Sequence, residues 1–334
     1  MSQPTIRTVH FRPRERNVFF HILTGCNLAC RHCYINPEQH GNKMLDRDTL
    51  AAWLKLFAAP ERETNLIILG GEPTLHPDLA FMVKSAQELG YSSVTIDTNG
   101  YLFHDILAKI TPDEAVLSFS LDGPTAEVND PLRGAGVFEV CTANLKKAVA
   151  KGFPISVICT VSRLNLPHLA EMPKLLAALG VSRFFIQVIG LRGKSAAPGN
   201  DLQVTFAEWL AVVPEVAAAA ARLGIPTIFP KVFLDEGEPF ACAGRVAENY
   251  FIFPNGRVYR CPLCEDYPVH SLEIKEGLLV ERPGLNEDRF FQLEIPEGCV
   301  MNRLLQPGNL NYDKSGQPLH RVSCCLLKQE ARPE

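Results

Sequence analysis

A chain of 334 residues with 46% hydrophobic and 21% charged residues has the composition of a globular protein, long enough for one large α/β domain and a small appendage. Its formal net charge of −4 argues against general nucleic-acid binding, and no apolar run approaches the ~18 residues that span a bilayer; "WLAVVPEVAAAAA" is broken by Pro214 and Glu215. The N-terminal stretch "MSQPTIRTVHFRPRERNVFF" has no apolar h-region and no small-residue cleavage site, which predicts a cytoplasmic protein with no membrane or nucleic-acid partner.

After an N-terminal extension, residues 1–17, strand-like and helix-like segments alternate. Near-continuous apolar runs predict strands at 18–25, 65–71, 93–100, 115–123, 154–162 and 183–191, as expected of parallel strands covered on both faces. Between and after them lie helices at 46–59, 76–89, 102–110, 136–151, 167–179 and 206–223. The first carries Leu50, Trp53, Leu54 and Phe57 as one apolar stripe, and the last opens on a capping box of Thr205 and Glu208. Six β/α units predict an α/β fold, an open partial (β/α)6 barrel over residues 18–234, with a doubly wound sheet as the alternative. The stretch "RGKSAAPGND" (192–201) reads as a loop. Near 235 the chain changes to short strands, turns and cysteines, so 235–334 is expected to be a small cysteine-rich α+β domain.

In either architecture chemistry belongs at the C-terminal strand ends. Four loaded stretches fall there: "GCNLACRHC" after the first strand, "GGEPTL" after the second, "DTNG" at the third and "SLDGP" at the fourth. Cys26, Cys30 and Cys33 form a C-x3-C-x2-C array. Three thiolates suit a [4Fe–4S] cluster that leaves one iron open to an exogenous chelate. The competing reading is zinc, completed by His32, His40 or His21. Cys141 and Cys159 sit singly in apolar segments and read as small buried hydrophobes.

The cysteine array followed by "GGEP" resembles the radical S-adenosylmethionine (radical SAM) superfamily, with His32 where relatives usually have an aromatic residue. The resemblance covers roughly residues 18 to 230. It implies that the fourth ligand is the methionine portion of S-adenosylmethionine (SAM). It implies that Gly70, Gly71, Glu72 and Pro73 serve the SAM amino group, and that Thr98 and Asn99 are candidates for polar contact. Ser120 and Asp122 would lie on the ribose side, Ser120 the better candidate, and Arg133 would clamp the SAM carboxylate; a plain turn at "DTNG" and a solvated loop arginine are the competing readings. The implied chemistry is reductive cleavage of SAM to a 5′-deoxyadenosyl radical that takes hydrogen from a substrate C–H bond, with flavodoxin or ferredoxin as electron donor. No acid or base can be picked from the residues alone.

The tail holds Cys242, Cys261, Cys264, Cys299, Cys324 and Cys325. Around a hairpin turned by "PNG", Cys242, Gly256 and Cys261 resemble the start of the SPASM or shorter twitch auxiliary-cluster domains, while the later C-x2-C-x5-C-x3-C run is absent. This implies one auxiliary [4Fe–4S] cluster on Cys242, Cys261 and Cys264, with Cys299, Cys324 or Cys325 as fourth ligand; a zinc ribbon is the alternative. The implied function is oxidation or crosslinking of a peptide or protein side chain. The alternatives are oxidation or decarboxylation of a small molecule or tetrapyrrole precursor, or a non-catalytic iron–sulfur electron carrier.

Overall fold

The computed structural model describes residues 5–333, which among them form thirteen strands in one sheet. In chain order these are β1 (Ile6–Val9), β2 (Glu15–His21), β3 (Glu63–Leu69), β4 (Ser93–Thr98), β5 (Val116–Ser120), β6 (Ile155–Val161) and β7 (Arg183–Val188). There follow β8 (Thr227–Pro230), β9 (Glu248–Ile252), β10 (Arg257–Tyr259), β11 (Leu272–Lys275), β12 (Leu278–Glu281) and β13 (Lys328–Ala331). Their order across the sheet is β1-β13-β8-β7-β6-β5-β4-β3-β2-β9-β10-β11-β12.

β2 through β8 are parallel and run consecutively across the sheet. A doubly wound sheet would reverse its order at a switch point, and here there is none. The fold is the open partial barrel. β8, "TIFP", is a seventh parallel strand beyond the six expected units; four residues that follow Pro226 and end on Pro230 give almost no periodicity to read.

Side chains on these strands alternate. Val18, Phe20, Leu66, Ile68, Ile96, Phe119, Val157, Ile186 and Phe229 face the helices and are buried in one core. The helix Arg47–Phe57 contributes its predicted stripe of Leu50, Trp53, Leu54 and Phe57 to that core. Burying each large side chain there stabilises the fold by ~1.5–3 kcal/mol. The intervening strand residues, among them Phe19, Asp97, Ser118 and Phe185, line the inner face of the barrel. The helix expected at 102–110 shortens to Ile106–Lys109, and that at 167–179 divides into a 3-10 turn, Leu166–Glu171, and a helix, Met172–Leu179.

The expected N-terminal extension, 1–17, includes residues 1–4, outside the described residues; its remainder supplies β1 and the start of β2. The tail joins the sheet on both sides. β9 pairs in parallel with β2, and β13 lies antiparallel between β8 and β1. A second core of Phe251, Phe253, Tyr259, Phe291, Met301 and Val322 supports the tail cysteines. The "PNG" turn closes β9 onto β10. Gly256 has φ +91° there, and a Cβ would lie 2.9 Å from the Ile274 carbonyl, so both backbone and space require glycine.

Candidate functional site

After β2 the chain turns through Leu23–Gly25 into the cysteine loop, and this turn lies against the loop after β3. Gly71 N–H donates to Leu23 O and Glu72 N–H to Gly25 O, each at 3.0 Å. A Cβ on Gly71 would stand 2.1 Å from Gly25 O, and one on Gly70 2.7 Å from Leu23 O. The two glycines therefore admit the backbone that carries Cys26.

Glu72 is 1% exposed and fastens that turn to the end of β4. Its Oε1 accepts from Thr74 N–H (3.0 Å), the Thr74 hydroxyl (2.7 Å) and the Thr98 hydroxyl (2.8 Å); its Oε2 accepts from Asn99 N–H (2.7 Å). Burial pushes its pKa up while these donors pull it down. Pro73 is buried at the first position of the 3-10 turn that Glu72 caps. Asn99 in turn donates from Nδ2 to Asn27 Oδ1 at 2.9 Å, with Cys26 Sγ at 3.7 Å.

Beyond β5, Asp122 is fully buried. Its Oδ1 accepts from Thr160 N–H at 2.7 Å, while Oδ2 lies 2.6 Å from Arg133 Nε and 3.2 Å from His32 Nε2. The internal ion pair engages Arg133 through Nε. Ser120 ends β5 on the inner face of the barrel, half-buried.

Cys26, Cys30 and Cys33 are free thiols at the head of this arrangement. Burial raises the Cys30 pKa, opposed by the charge of Arg133. Two buried nitrogens beside them, Asn27 Nδ2 and His32 Nδ1, have no hydrogen-bond partner within the protein. Three thiols flanked by unsatisfied polar atoms fit a cluster with an added polar ligand. Of the three histidines named for a zinc site, two are already engaged. His21 donates from Nδ1 to Ile252 O and accepts from the Tyr34 hydroxyl at Nε2, at 2.9 and 2.6 Å. His40 accepts from Asn36 N–H and donates to Glu265 O. Both rings are fully engaged, whereas His32 keeps Nδ1 without a partner within the protein.

The loop after β7, which the sequence marks only as a loop, joins this site to the tail. Lys194 N–H donates to Cys33 O at 2.8 Å, and Gly193 N–H donates to Asp266 Oδ2 at 2.8 Å. Arg192 pairs with Glu265 and the Pro262 carbonyl, its guanidinium 4.8 Å from the Tyr34 ring centroid. These residues meet across separations of 70 or more positions, and no local motif announces them.

In the tail, Cys242, Cys261, Cys299, Cys324 and Cys325 line one cavity walled by Phe240, Phe291 and Met301. Cys261 lies beside Cys264 and Cys325, and Cys325 beside Cys324. Burial, with Cys324 adding to it, pushes Cys242 and Cys299 up to about 12. Six free thiols in apolar surroundings are a donor set that suits an iron–sulfur cluster.

Residues 20–176 match the family model described as the radical SAM superfamily. The chain is 32% identical over 296 residues to "Mycofactocin maturase MftC" of Mycobacterium ulcerans, covering 82% of this chain and 76% of that protein. It is 25% identical over 263 residues to a "Probable GTP 3′,8-cyclase" of Saccharolobus islandicus, covering 75% of this chain and 84% of the relative. Among solved structures, Streptococcus suis SuiB aligns with a TM-score of 0.61 at 16% identity, over 83% of this chain and 64% of SuiB, a likeness of fold. Among the described residues no helix is long and apolar enough to cross a membrane. With the cysteine loop, the glycine–glutamate turn and the partial barrel in place, the chain belongs to the radical SAM superfamily, enzymes that use a [4Fe–4S] cluster and SAM.

Proposed function

We propose that this enzyme oxidises or crosslinks a peptide or protein side chain, using a SAM-binding cluster on Cys26, Cys30 and Cys33 and one auxiliary [4Fe–4S] cluster in residues 235–334. It works in the cytoplasm with a flavodoxin or ferredoxin as electron donor. The observation that carries the two-site reading is the gathering of five tail thiols around one cavity, with Cys264 beside Cys261. Cys242, Cys261 and Cys264 are the proposed ligands, and the Cys261–Cys325 contact favours Cys325 over Cys299 as the fourth.

When bound, the first cluster and SAM supply a 5′-deoxyadenosyl radical able to take hydrogen from an unactivated C–H bond. The chain's own residues position and enclose. Asp122 holds Arg133 through Nε, so that the terminal guanidinium nitrogens are offered to the SAM carboxylate. Glu72, braced by Thr74, Thr98 and Asn99, fixes the Gly70–Gly71 backbone for the SAM amine. Ser120 is the ribose contact, and His32 Nδ1 and Asn27 Nδ2 are groups waiting for a partner. The apolar helix-facing core closes the outside of the barrel to water.

A peptide substrate is supported by the relative named as a maturase and by a fold that SuiB presents with its precursor peptide SuiA. The relative named as a GTP cyclase favours the second reading, a small molecule. Two measurements test these points. Replacing Cys30 with Ala is expected to abolish SAM cleavage and leave tail iron in place, whereas Cys261→Ala removes the tail iron; equal loss from both contradicts two sites. Incubation with short peptides encoded beside the gene is expected to remove two hydrogens from one of them. Turnover of small alcohols or tetrapyrroles with every peptide unchanged contradicts the peptide substrate.

A further inference from the structure

Lys328 opens β13, opposite Pro230 of β8. Phe229 belongs to the helix-facing core, so Pro230, and Lys328 beside it, face the inside of the barrel. The ammonium lies 4.8 Å from the centroid of Phe185, an inner-face residue of β7, and donates to the Cys325 carbonyl at 3.3 Å. Among the described residues no carboxylate forms an ion pair with it. The acid two positions along on the same face of the strand, Glu330, is taken by Arg7 and Arg332.

A cation held in a sheltered site without a counter-ion is costly, and such groups are paired in stable proteins. The groups near Lys328 able to carry negative charge are Cys324 and Cys325. As thiols they carry none. A cluster held by four thiolates has a net negative charge, which grows by one on reduction. An ammonium beside it therefore stabilises the reduced form more than the oxidised form.

We infer that Lys328 is the counter-charge of the tail cluster, a positioning residue that raises the cluster's reduction potential; this rests on the tail-cluster reading above. Through the Cys325 carbonyl, Lys328 thereby links the inner wall of the barrel to the cysteine-lined cavity. Its cation–π contact with Phe185 holds the ammonium toward the barrel interior.

The test uses the full chain with Cys26, Cys30 and Cys33 replaced by Ala, so that tail iron is read alone. After anaerobic loading with iron and sulfide, iron is counted and the midpoint potential is followed by electron paramagnetic resonance. Lys328→Met and Lys328→Gln are expected to load as much iron as the parent and to titrate at lower potential, with Lys328→Arg restoring the parent value. One common potential across all loaded proteins overturns the role of Lys328 and leaves the cluster standing. If both neutral variants lose iron and Lys328→Arg keeps it, charge balance is supported; loss in all three overturns it. A parent tail that binds no iron overturns the cluster reading and this role together.

Discussion

Asp122 Oδ2 lies 2.6 Å from Arg133 Nε, and the two side chains are 0% and 7% exposed. In the proposed SAM site, this buried pair would set where the cationic end points. Removing one partner of a buried pair leaves the other uncompensated and costs ~3–5 kcal/mol. Asp122→Asn is therefore expected to lower stability by about that amount and to weaken SAM binding. Urea melts and calorimetric titration with SAM check both; unchanged values in each contradict the positioning role.

Glu72 takes four hydrogen bonds from three residues, all from its own turn or the end of β4. Glu72→Gln places an amide against donors and leaves at least one buried donor unsatisfied, a cost of ~1–3 kcal/mol. A lower urea midpoint, with reduced iron retention at the first site, is the expected outcome.

Gly193 packs on the cysteine loop. Its φ is +54°, and an added Cβ would lie 2.6 Å from the Cys33 carbonyl oxygen and 2.7 Å from the Tyr34 backbone. Gly193→Ala is expected to displace Cys33 and reduce iron at the first site while the tail keeps its own. Iron counted in this variant with the tail cysteines intact, and again with Cys261 also replaced by Ala, separates the two.

Asp97 faces the barrel interior beside Ser118, its partner across β4 and β5. Burial raises its carboxyl to about 6, against the lowering hydrogen bond from Ser118. The unfolded chain releases this proton near pH ~4, the folded chain near 6, so the native state binds the extra proton between them. Stability should fall as pH rises through that window, by at most ~3 kcal/mol, and be flat with respect to this group above it. Asp97→Asn is expected to remove that slope; identical slopes in both proteins contradict the assignment.

The barrel was legible because its strands, buried on the helix-facing side, read as apolar runs separated by helical stripes. Cys26, Cys30, Cys33 and the glycine–glutamate turn were legible because their spacing is local. What the pattern does not carry is contact between distant segments. Arg192, Gly193 and Asp266 have no motif, although they join the two cysteine sites. The reason for Gly71 is also three-dimensional, since the atom that excludes a Cβ belongs to Gly25. β8 escaped because four residues that follow one proline and end on another show no period.

Everything here depends on the loop at Cys26, Cys30 and Cys33 holding a cluster that engages SAM. The most direct measurement is anaerobic loading with iron and sulfide, then SAM with dithionite, followed by chromatography for 5′-deoxyadenosine. The account predicts 5′-deoxyadenosine from the native chain and none from Cys30→Ala. Fully iron-loaded native protein that leaves SAM intact would contradict it and favour an electron carrier.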